Sequence, residues 1–197
     1  MPLLDRASKI VAYPAREWVV VAREATKLEP LFMNYVLPLA ALGPVCGLAR
    51  LSVFGIAAAR GSYRVPWLTA AIEAVMSLGL ALIGVYVLAQ VVNTLARAFN
   101  GDPDFEQALK LVAYSYTPIW LAGILLLLPQ FLILRVVSVA ISLYAVYLLY
   151  LGLPPLMKVP RDSAAGFAAI VAIAAILLGI VFDFIVSAAR VGLGLRG

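Results

Sequence analysis

The chain has 197 residues, 64% of them hydrophobic and 13% charged, with a mean hydropathy of +1.04. That balance excludes a water-soluble globule, and the apolar residues fall in runs long enough to cross a bilayer core of roughly 30 Å, which takes about 20 helical residues. With no histidine and one cysteine, Cys46, His-dependent hydrolases, thiolate metal sites and an internal disulfide are excluded; the net charge of +5 sits at the ends of apolar runs, where it sets topology rather than binding nucleic acid.

Residues 1–29 interleave Ile10, Val11, Trp18, Val19 and Val20 with Arg6, Lys9, Arg16, Glu17, Arg23, Glu24 and Lys27, and Pro14 interrupts them. This predicts two short amphipathic helices, either lying on the membrane surface with Trp18 at headgroup depth or forming a solvated tail. A removable signal peptide is not expected. The first span, residues 30–50, carries Pro38 and Pro44, each lacking a backbone donor, so a kinked helix is expected; Gly43 and Gly47 have the spacing of close helix packing. Its apolar continuation ends at the basic Arg60 and Arg64. The second span covers residues 66–92.

Asn100-Gly101 predicts a turn, and Asp102 before Pro103 an N-cap with proline at the first helical position; Asp102, Asp104 and Glu106 lack a calcium-loop spacing and read as capping residues. The third span, residues 109–128, contains Pro118 and ends at Pro129. The fourth, residues 131–153, stops at Pro154-Pro155, and the fifth covers residues 164–189 before a tail holding Arg190 and Arg196. The expected fold class is all-α: a polytopic five-helix bundle over residues 30–190, preceded by the amphipathic segment 1–29 and followed by a short tail, 191–197. A cytosolic N-terminus places nine of the fifteen Lys and Arg inside and six outside, which favours N-in, C-out insertion in the cell inner membrane. A four-span arrangement with the first or third run re-entrant stays open.

An ionisable group within a span is costly, so each needs a partner or a purpose. Arg50, Glu73, Arg135 and Asp183 qualify, and all fall in the outer half. Glu73 and Asp183 are expected to face the bundle interior and pair with Arg50, Arg135 or both, as an ion pathway or as a structural network. The inner half is uncharged but holds Asn34, Gln90, Asn93, Tyr114, Tyr116, Tyr144 and Tyr147, which predict a polar seam between helices. No phosphate loop, zinc-protease constellation or close pair of intramembrane aspartates is present, so neither enzyme activity nor a cofactor is expected.

Two segments carry a family resemblance: Ala113-Tyr-Ser-Tyr-Thr-Pro118, and the run from Tyr144 to Pro160 that includes Tyr147, Gly152, Pro154 and Lys158. With five spans and a cytosolic N-terminus, the chain resembles the Yip family, the Ypt/Rab-interacting membrane proteins, in a short prokaryotic form. The resemblance implies a non-catalytic protein associating with other membrane proteins; eukaryotic members associate with Rab-type GTPases. Here the N-terminal segment is short and the Asp-Leu-Tyr-Gly-Pro type motif is missing, so a Rab-type partner does not carry over, and Tyr114, Pro118, Tyr147, Gly152, Pro154 and Lys158 read as structural. The expected function is organisation of protein or lipid partners in the membrane. The alternative is a small transporter or channel using Glu73 and Asp183. A homo-oligomer through Gly43 and Gly47 or through Ala168, Ala172, Ala175 and Gly179 is a further expectation.

Overall fold

Five helices long and apolar enough to cross a membrane dominate the computed structural model, which describes residues 3–25, 28–58, 61–128 and 132–192. Lys27, Arg60, Pro129, Phe131, Arg196 and the tail beyond Gly192, which entered the topology and boundary arguments, lie outside the described residues. Helices α1 (Leu3–Ala12) and α2 (Pro14–Arg23) precede the spans α3 (Leu28–Phe54), α4 (Trp67–Phe99), α5 (Phe105–Leu127), α6 (Leu132–Met157) and α7 (Arg161–Gly192). A short antiparallel hairpin, β1 (Ile56–Ala58) with β2 (Gly61–Tyr63), joins α3 to α4. The protein is thus an all-α multi-pass membrane protein apart from that hairpin.

The helices outrun their apolar cores. α4, with 33 residues, measures about 50 Å, well beyond a hydrocarbon layer of roughly 30 Å, so it tilts or projects. Proline shapes three of the spans. In α3 a π-helical turn, Phe32–Val36, precedes Pro38, and a second, Arg50–Phe54, ends at Gly55 with φ 79°. α5 breaks at Tyr116 and restarts with Pro118 in the first turn of the new helix, where its missing donor costs nothing. In α6 the expected stop at residue 153 is corrected: Pro154 and Pro155 sit inside the last turn and the helix runs to Met157.

The expected cap is corrected as well. Asp104, not Asp102, is the N-cap of α5, its carboxylate accepting from the backbone N–H groups of Glu106 at 2.9 Å and Gln107 at 3.2 Å. Asp102 instead accepts from Lys158 Nζ at 2.7 Å, tying the α4–α5 turn to the α6–α7 turn. Asn100 reverses the chain in the left-handed region, φ 55°. A Cβ at Gly101 would lie 2.7 Å from the Met157 carbonyl oxygen, which accepts from the Asp102 N–H at 2.8 Å, so the two turns touch backbone to backbone.

α4 packs on α3, α5 and α7, while α6 packs on α5, α7 and α2. Inside a bilayer, lipid tails are as apolar as leucine, so close approach rather than water exclusion holds such helices together. Gly123 of α5 supplies one such approach, since a Cβ there would lie 2.7 Å from both N and Cα of Gly43. Gly47 makes no comparable contact. Gly84 supplies another at the α4–α7 crossing, where an added Cβ would meet Phe182 at 2.9 Å.

Candidate functional site

Two polar regions occupy opposite ends of the bundle. At the end where α1 and α2 lie, both helices dock into the protein, with Ile10, Trp18 and Val21 at most 1% exposed. Trp18 packs where a Gly152 Cβ would come within 2.9 Å of its Cε2, so glycine in α6 makes the slot for the indole. The Tyr144 hydroxyl donates to the Val11 carbonyl at 2.6 Å, and Tyr35 and Thr117 hydrogen-bond through their hydroxyls at 2.8 Å.

This end is not uncharged. Arg6, with a side chain 7% exposed, bonds Glu17 and Glu24, and its guanidinium lies 6.0 Å from the centre of the Tyr114 ring. Buried Lys110 of α5 donates to the backbone carbonyl of Glu24, at the C-terminal end of α2, where a cation also meets the negative end of the helix dipole. Burial opposes the charge of Arg6, but hydrogen bonding to Glu24 and the nearby carboxylates of Glu24 and Glu17 outweigh it, and its pKa is raised. The seam expected here does not assemble as one unit. Tyr114 joins the Arg6 cluster and Tyr144 the α1 contact, while Asn34, Gln90 and Tyr147 are exposed. Asn93 Oδ1 is buried without a hydrogen-bond partner among the described residues. Tyr116 lines a cavity instead.

The other end contains a cavity of about 550 Å³ walled by all five spans. Its walls include Gly47 of α3, Ala74 of α4, Tyr116 of α5, Ser142 of α6 and Gly179 of α7. Small side chains at facing positions leave the space unfilled: a Cβ at Gly47 or Gly179 would meet nothing within 4 Å. The lining is apolar apart from hydroxyls and one carboxylate, Glu73. Ser138, Ser142 and Gly179 line the cavity and are exposed as well, so it opens to the molecular surface along α6 and α7.

The four intramembrane charges do not pair as expected. Glu73 is bound by Arg190, whose Nε donates to its Oε2 at 2.9 Å and whose second nitrogen bonds the other carboxylate oxygen. Asp183 is exposed on α7 rather than facing the bundle interior, and among the described residues neither it nor Arg50 nor Arg135 makes an ion pair. The apolar run ends at Ala189, which puts Arg190 in the tail, yet α7 continues through it.

Of the family-like residues, Pro118 and Gly152 occupy the break in α5 and the Trp18 slot, Pro154 the last turn of α6, and Lys158 the inter-turn ion pair, with φ 53°. An all-helical bundle of five spans, bearing these residues and an embedded amphipathic N-terminus, defines a multi-pass protein of the Yip class. The chain belongs to that family: the Yip1 domain family model matches residues 8–182. Among named proteins it is similar to inner membrane protein YohC of two strains of Escherichia coli, 27% identical in each over 159 residues, 80% of this chain and 82% of the relative. No solved structure matches it.

Proposed function

We propose that this chain is a non-enzymatic membrane-organising protein that holds part of a lipid molecule between its spans. One observation carries the reading: a cavity of about 550 Å³, inside the roughly 300–1,000 Å³ range of small-molecule sites, with an apolar lining and a lateral opening. An apolar space that opens sideways in a membrane-spanning bundle meets acyl chains before it meets water. The inner membrane, the location in the name of the YohC relative, and a cytosolic N-terminus, from the distribution of positive charge, complete the reading. A transport role through Glu73 and Asp183 needs both carboxylates on one path, whereas Glu73 lines the cavity and Asp183 sits outside it.

The test is native mass spectrometry of lipids retained by the wild type and by Gly47→Leu with Gly179→Leu. Both glycines line the cavity and have open space beyond a Cβ, so leucine fills the site without forcing the helices apart. Lipid retention falls severalfold in the double variant if the cavity is occupied. Retention unchanged with the cavity filled contradicts the reading.

A further inference from the structure

We infer that the cavity takes an acyl chain of an anionic lipid whose headgroup is held by Arg135. This rests on the lipid-holding reading and adds the ligand class and the residue that selects it. Ser138 and Ser142 form the exposed part of the cavity wall on α6. Their hydroxyls donate back along the helix, to the carbonyls of Leu134 at 2.8 Å and Ser138 at 2.9 Å, so neither has a free proton to offer a headgroup. This wall suits a hydrocarbon chain.

Arg135 lies one turn before Ser138 and two turns before Ser142 on the same stripe of α6. Helical side chains lean toward the helix N-terminus, which carries its guanidinium from the cavity wall toward the nearer membrane surface. It is exposed and makes no ion pair among the described residues. The neighbouring charges leave it available: Arg190 is taken by Glu73, and Asp183 lies on α7 outside the cavity lining. An unpaired cation within a span, above a laterally open apolar cavity, matches an amphiphile with a phosphate or carboxylate head, and a guanidinium binds either with two parallel hydrogen bonds.

The test is competition between phosphatidylglycerol and phosphatidylcholine of identical acyl chains for the full-length protein, with retained lipid counted by native mass spectrometry. The wild type is expected to prefer phosphatidylglycerol by roughly tenfold, the scale of one charge-assisted hydrogen bond, and Arg135→Gln to bind both equally while still retaining lipid. Arg135→Lys keeps a partial preference. Equal retention of the two lipids by the wild type, or a preference unchanged in Arg135→Gln, overturns the assignment of Arg135 and leaves the lipid-holding reading standing if the cavity-filling variant still loses lipid. Retention insensitive to cavity filling overturns both. Inorganic phosphate displacing the bound anionic lipid would show that Arg135 selects the phosphate group alone and would overturn the need for an acyl chain.

Discussion

Arg6 is a charge that burial should penalise, and its surroundings compensate by supplying two carboxylates and an aromatic face. Removing it leaves Glu17, itself 10% exposed in its side chain, as an uncompensated buried carboxylate. Arg6→Met is therefore expected to cost about 3–5 kcal/mol and to free α1 and α2 for proteolysis, with much of the loss recovered when Glu17→Met is added. Equal damage from the single and double variants would show that the pair itself is not what holds the helices. At the far end, a double-mutant cycle separates the observed from the expected partner of Glu73. Glu73→Gln with Arg190→Gln should show a coupling of about 0.5–1 kcal/mol, the value kept low because the Arg190 side chain is 48% exposed, and Glu73→Gln with Arg135→Gln should be additive.

At the scale of elements, the spans were legible because hydropathy runs and prolines mark them, and their ends were not. Apolar composition locates the hydrocarbon layer, whereas a helix ends where its backbone groups find other partners, as Asp104 provides for α5 and Met157 finds before Lys158 turns with a positive φ. The amphipathic character of α1 and α2 was equally plain, but its destination was not. The receiving surface is built from Lys110, Tyr114 and Gly152, which come from two different spans and meet only in the folded bundle. The same reason hid Arg190, whose partner lies 117 positions earlier in the chain. Gly152→Leu tests the docking: its Cβ alone would lie 2.4 Å from Leu111 Cδ1, so a loss of about 1–3 kcal/mol and undocking of α2 are expected, read by proteolysis of the N-terminal segment. The tie between turns is pH-dependent in a defined direction. Hydrogen bonding to Asp102 raises the Lys158 pKa above its ordinary 10.5, so the contact is intact below that value and is lost as the pH rises through the raised one. Lys158→Met should alter thermal stability at neutral pH and not in strong alkali.

The whole molecule is asymmetric along its axis. One end is closed by docked helices, a buried ion network and touching turns, and the other is held open by glycine, alanine and serine at facing positions. Composition showed small residues in several spans but not that they converge on a common space, since convergence depends on how five helices cross. The central claim is that this space holds a lipid chain. Its most direct test is a photoactivatable acyl chain incorporated in vesicles with the wild-type protein, with crosslinks mapped by peptide mass spectrometry. Crosslinks concentrated on cavity residues such as Ala74, Ser77 and Leu178 are the expected result. Crosslinks confined to the outward faces of α6 and α7, at Ile133, Val136 and Phe184, with none in the cavity, would contradict it.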